Sequence, residues 1–122
     1  MTDIKFLDSS VWLSYYFAES QEAKDIIEGS RLVLTSSLCL FEIKKKLLSL
    51  KKDFKSFIDF IKQRSAISLP SVPIVEKAAH LAHDKKLGAM DALIYSSALL
   101  SDAELVTKDN DFRDLEQVKI LD

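Results

Sequence analysis

Residues 4–13 read Ile-Lys-Phe-Leu-Asp-Ser-Ser-Val-Trp-Leu. The first five form a short apolar run that stops on an acid, Asp8, and two hydroxyl residues follow at once. Residues 4–8 therefore read as a strand, and Ser9 or Ser10 can cap a helix reaching about Phe17. A strand that passes directly into a helix is the opening half of a crossover unit, the connection that parallel strands require.

The same alternation continues along the chain. A helix fits 20–28, with Ala23, Ile26 and Ile27 on one face and Gly29 as its stop, and a second strand fits 31–35. Ser36 or Ser37 can cap a helix over 37–50, where Leu40, Ile43, Leu47 and Leu50 have amphipathic spacing. The next helix, 53–65, carries Phe54, Phe57, Ile58 and Ile61. A short strand at 66–69 precedes a helix that Pro73 opens and that runs to Lys86, with Gly88 ending it. A helix over 90–101 and strands over 104–107 and 118–121 complete the chain. Such alternation predicts a three-layer α/β/α fold around a central parallel sheet of about five short strands. A length of 122 residues fits a single domain, 1–122.

Composition narrows the function classes. The apolar share of 48% is that of a globular chain, and a net charge of −2 does not announce a nucleic-acid binder, so any basic surface must be local. Cys39 is the sole cysteine, which excludes an internal disulfide and a cysteine-based zinc site and leaves it as a small buried apolar residue. The N-terminal residues lack a basic segment followed by an apolar one, and no apolar run reaches about 18 residues. No secretory signal or membrane span is expected, and the expected location is cytoplasmic.

In parallel sheets, sites form beyond the carboxyl ends of the strands, where strand order reverses. Asp8 ends the first strand, and Asp109 and Asp111 follow the fourth. Asp91 lies in the first turn of its helix, and Glu42 sits four residues after Leu38 at the margin of an apolar face. Each acid also has a purely structural reading. Asp8 can be a helix cap, Asp91 can complement a helix dipole, Asp109-Asn110-Asp111 can form an Asx turn, and Glu42 can pair with Lys45 or Lys46. Their recurrence at one rim shifts the balance. Two like charges about 4 Å apart repel by about 4 kcal/mol at an effective dielectric of 20, so clustered carboxylates call for a cation or for protons. Oxygen donors without cysteine and with few histidines favour Mg²⁺ or Mn²⁺ over zinc.

Four segments in this order, FLDSSVWL, CLFEIKKKL, GAMDALIYSSAL and LVTKDNDF, span nearly the whole chain. In them the sequence resembles PIN-domain ribonucleases, specifically the VapC-like toxins of toxin–antitoxin pairs. The resemblance implies five parallel strands, a Mg²⁺ or Mn²⁺ site, and Asp8, Glu42, Asp91 and Asp109 as the acidic quartet, with Asp111 as an additional acid. Ser10 and Thr107 match small hydroxyl positions that support the site. It further implies metal-assisted hydrolysis of RNA phosphodiesters, a homodimer, and a small antitoxin protein as partner. The short stretch between Glu42 and Asp91 leaves no room for an inserted substrate domain, which fits the compact toxin type. The 53–65 helix is a candidate surface for the homodimer.

Lys45 and Lys46 belong to a lysine-rich stretch directly after Glu42. It reads either as a solvated face or as a phosphate-contacting rim for RNA. Tyr15 and Tyr16 could stack bases, whereas Trp12 fits core packing or a dimer interface better. His80 and His83 share a helix face but lack further zinc ligands, and no P-loop, GxGxxG or G-x-S-x-G motif occurs. Two readings compete with a nuclease. One is a non-catalytic RNA- or protein-binding module of the same fold. The other is a phospho-acceptor domain, for which the residues after the third strand, Leu69-Pro70-Ser71, offer no acceptor aspartate.

Overall fold

The structure, a computed structural model, describes residues 3–122. The elements in chain order are β1 (Lys5–Leu7), α1 (Ser9–Tyr16), α2 (Gln21–Ile27), β2 (Val33–Ser36), α3 (Ser37–Ser49), α4 (Lys55–Arg64), β3 (Ala66–Ser68), α5 (Val72–Lys85), α6 (Ala89–Leu100), β4 (Glu104–Thr107) and β5 (Val118–Ile120). All strands are parallel, in the order β3-β2-β1-β4-β5. This is the α/β fold that the alternation predicts. Every residue of the central strands β1 and β4 is buried, so both faces of the sheet centre are covered by helices.

The chain winds outward from β1 through β2 to β3, then returns to place β4 on the other side of β1. The β1/β4 junction is thus the point of reversal, and it brings the ends of strands 99 residues apart into hydrogen-bonding contact. Lys5 and Glu104 face each other at the start of that pair, 2.6 Å apart and both buried. Two charges there compensate each other far from the carboxyl-end rim.

The helix caps differ in detail from the sequence reading. Asp8, as its structural reading allows, and neither Ser9 nor Ser10, occupies the N-cap of α1, its carboxylate accepting from Ser9 N. Ser36 caps α3. Gly88 does not end α5: Lys86 takes the left-handed turn at φ 57°, while Gly88 has φ −66° and is the N-cap of α6. Gly29 has ordinary φ as well, but a Cβ there would stand 2.7 Å from the carbonyl oxygen of Asp25, so close approach to α2 requires the glycine. The apolar residues of α4, the candidate surface for a homodimer, largely turn toward the core. Its Phe57 and Ile61 are buried, and Ile58 and Phe60 pack against the core. Large exposed apolar side chains lie elsewhere, among them Phe41 and Leu48 on α3 and Val72 and Val75 on α5.

Candidate metal centre

The centre is built on Asp8. Its backbone N–H donates to the carbonyl of Val106 at 3.0 Å, tying the end of β1 to β4. Its carboxylate accepts from Ser9 N at 2.8 Å, Ser10 Oγ at 3.0 Å and Thr107 Oγ1 at 2.7 Å, and the residue is only 5% exposed. The hydroxyls of Ser10 and Thr107 are further used by the next loop. Ser10 Oγ accepts from Lys108 N at 2.9 Å, and Thr107 Oγ1 accepts from Asp109 N at 3.0 Å. A small network therefore fixes where the chain leaves β4 and presents Asp109. The carboxylate of Asp109 caps a 3-10 turn, Asn110–Phe112, by accepting from Asp111 N. The Asx turn is real, and it serves to hold Asp109 and Asp111 on the same rim.

Glu42 comes from α3, where Ile43 and Leu47 anchor the buried face. Ser9 Oγ donates to Glu42 Oε1 at 2.9 Å, which turns the carboxylate toward Asp8. Ser9 is the residue that the sequence reading missed. Asp91 lies in the first turn of α6, three residues past the Gly88 cap. Ligand atoms of Asp8, Glu42 and Cys39 lie within 4.8 Å of one another, as do those of Asp91, Asp109 and Asp111. The Cys39 thiol is fully buried and points to the Leu7 carbonyl; burial, with Asp8 nearby, pushes its pKa up to about 12. It is a packing residue rather than a thiolate ligand.

The two acidic groups sense each other electrostatically. Burial raises the Asp91 carboxyl to about 6, reinforced by the charges of Asp109, Asp8, Glu42 and Asp111. Burial likewise raises Asp8, against the lowering hydrogen bonds from Thr107, Ser10 and Ser9. Glu42 is raised by burial, opposed by its bond from Ser9, with Asp8 and Asp109 adding to the rise and Lys45 opposing it. The salt bridges found among the described residues are Lys5–Glu104, Lys55–Asp59, His83–Asp84 and Lys119–Glu22, none of which involves these acids. The donor set is thus rich in carboxylate oxygen and short of compensating charge, which suits a hard divalent cation such as Mg²⁺ or Mn²⁺.

Other candidates fall outside the centre. His83 is exposed beside Asp84, and neither it nor His80 belongs to a group of three ligands among the described residues. Trp12 is buried, its indole N–H donating to Thr35 Oγ1. Tyr15 and Tyr16 pack on Phe57. Lys45 and Lys46 are exposed on α3 next to Glu42. No helix of the described chain is long and apolar enough to cross a membrane.

A family model described as PIN domain matches residues 5–118. Among solved structures, a toxin–antitoxin complex from Klebsiella pneumoniae contains a chain 22% identical, with a TM-score of 0.79 over 94% of this chain and 95% of that one. A chain of VapBC2 from Rickettsia felis, bound to a promoter DNA fragment, is 22% identical with a TM-score of 0.80 over 98% and 99%. VapC20 of Mycobacterium tuberculosis, described as a sarcin–ricin loop cleaving toxin, is 16% identical with a TM-score of 0.69 over 97% and 89%. No curated protein sequence matches.

Proposed function

The chain belongs to the PIN domain family, and on that premise we propose that it is a Mg²⁺- or Mn²⁺-dependent endoribonuclease, the toxin of a toxin–antitoxin pair. One observation carries the reading: two carboxylate groups, Asp8 with Glu42 and Asp91 with Asp109 and Asp111, act on each other at the β1/β4 reversal, and no salt bridge among the described residues relieves them. Asp8 and Asp91 are the main ligands, Glu42 and Asp109 complete the set directly or through water, and Asp111 assists. A bound divalent ion supplies positive charge for the scissile phosphate and lowers the pKa of a coordinated water.

The chain's own residues do the rest. Ser10 and Thr107 hold the Asp8 carboxylate in one orientation, and Ser9 holds that of Glu42. Glu42, half-buried and with a raised pKa, is suited to accept a proton from the attacking water. The water oxygen forms the new bond to phosphorus, the bond to the leaving ribose oxygen breaks, and solvent returns a proton to that oxygen.

Similarity to chains solved within toxin–antitoxin assemblies supports a small antitoxin as partner. A second copy of the chain fits the groove between α5 and α6, lined by Val75, Ala79, Ala82, Ala89 and Leu93 and almost wholly apolar. The chain acts as one domain in the cytoplasm.

The test is incubation of purified protein with structured and unstructured RNAs in Mg²⁺ or Mn²⁺, then with a chelator. Cutting stops with the chelator and in Asp8→Asn and Asp91→Asn, each at least about a hundredfold slower. Cutting that survives both substitutions sinks the assignment.

A further inference from the structure

Beside Glu42 lies a second feature that the acidic centre does not use. A cleft of about 330 Å³ is lined by Phe41, Glu42, Lys45, Lys46 and Ser49 of α3 and by Met90 of α6. Its walls are therefore the immediate neighbours of two of the acids: Phe41 precedes Glu42, and Met90 precedes Asp91. Its volume falls in the range that small-ligand pockets occupy.

Phe41 stands apart from the other aromatic residues. The residue is 59% exposed, whereas the rest are buried or packed against the core. Among the described residues it makes no ring contact, while Phe57 alone meets Trp12, Tyr15, Tyr16 and Phe60. Phe41 and Lys45 are four residues apart on α3, so they share one face, as do Glu42 and Lys46. Neither Lys45 nor Lys46 forms a salt bridge among the described residues. Lys44, by contrast, is engaged over the Phe54 ring at 4.9 Å.

An exposed ring flanked by two free ammonium groups, one step from an acidic centre, has the chemistry of a single-strand nucleotide subsite. Stacking on an aromatic face is tolerant of base identity, and lysines at its edge take the phosphates. We propose that Phe41 is the stacking platform for an unpaired base next to the scissile phosphate, with Lys45 and Lys46 holding the flanking phosphates. This rests on the ribonuclease reading and adds to it the residues that seat the nucleotides beside the cut. A second copy of the chain is the less suited occupant. A two-fold interface here would bury unpaired lysines, whereas interface cores are depleted of charge, and the apolar α5/α6 groove is available for that role.

The experiment measures fluorescence anisotropy of a labelled 12-nucleotide single-stranded RNA, and of the same strand in a duplex, in Ca²⁺. Cleavage is followed in parallel in Mg²⁺ and Mn²⁺, and mass by light scattering. Phe41→Ala weakens single-strand binding about tenfold and leaves duplex binding unchanged, while Phe41→Trp restores it. Lys45→Ala with Lys46→Ala reduces the salt dependence of binding. Wild-type protein that cuts RNA, paired with a Phe41→Ala variant that binds single strands equally well, overturns the subsite and leaves the nuclease standing. Binding through Phe41 with no cutting in any metal does the reverse. A Phe41→Ala protein that binds RNA normally but falls from dimer to monomer assigns the cleft to a second copy and also overturns the subsite.

Discussion

Ser9 shows how much of the centre is decided by single hydroxyl groups. Its Oγ donates to Glu42 across a sequence gap of 33 residues, and that bond opposes the rise that burial imposes on the Glu42 carboxyl. Ser9→Ala leaves a half-buried carboxylate without its fixed donor. Hydrogen bonds to charged groups contribute about 1.5–3 kcal/mol, so kcat falls about tenfold or more with KM little changed, and Ser9→Thr recovers most of the loss. A Ser9→Ala enzyme with wild-type kcat shows that Glu42 needs no orientation. Asp8 and Asp109 stand out in the sequence because they follow strands, and Asp91 because it opens a helix, where a topological rule applies; Glu42, a turn and a half into α3, stands out only by its place at the margin of an apolar face. Ser9 does not stand out, since its position equally suits a cap and its partner lies on another element. The resemblance, not the spacing, singles out Ser10 and Thr107, and both donate to one Asp8 carboxylate oxygen, Oδ2.

At the scale of elements, the periodicities were sufficient for order and type, and the errors fall at the boundaries. Gly88 looked like the stop of α5 because glycine is the usual left-handed residue, yet this chain has two glycines and gives neither a positive φ. Among the described residues its left-handed positions fall on Ala18, Lys51, Lys86, Asp102, Asp114 and Gln117, none of them a glycine. The end of α2 falls where Gly29 predicts it, but the sequence does not show what satisfies its last carbonyls, because that partner comes from another helix. Arg64, near the end of α4, donates to the carbonyls of Ile27, Ile26, Gly29 and Arg31. One guanidinium thus satisfies orphan acceptors at the end of α2 and ties it to α4. Arg64→Ala lowers unfolding free energy by about 2–4 kcal/mol, and Arg64→Lys recovers little, because an ammonium cannot span four acceptors. Urea denaturation checks this directly. A lysine variant as stable as wild type shows that the bonds to those carbonyls are replaceable by water.

For the whole molecule, the acidic rim sets a conflict between function and stability. The sheet reversal gathers like charges that the fold alone does not neutralise, so the metal-free protein carries a repulsion that the unfolded chain escapes. Asp91 titrates at about 6 in the folded state against an ordinary 3.8, and Asp8 and Glu42 are shifted the same way. Between those values the folded protein binds protons that the unfolded chain has already released. The stabilisation from Asp91 is therefore fully present below about pH 4 and is lost as pH rises through about 6, opposite to the usual surface carboxylate, and Asp8 and Glu42 act in the same direction. Differential scanning fluorimetry in a chelator should show this component as a Tm that declines from pH 5 to pH 7. Asp91→Asn removes much of that decline and raises Tm at pH 7.5, the same substitution that slows the proposed cleavage. Adding Mg²⁺ or Mn²⁺ has the converse profile, because the ligands must be deprotonated. Metal at about a hundredfold over its dissociation constant adds about 2.7 kcal/mol, on the order of 10 °C, at pH 7.5 and little at pH 5. A metal increment independent of pH, or retained in Asp91→Asn, places the ion at some other site and separates the carboxylate cluster from the proposed chemistry.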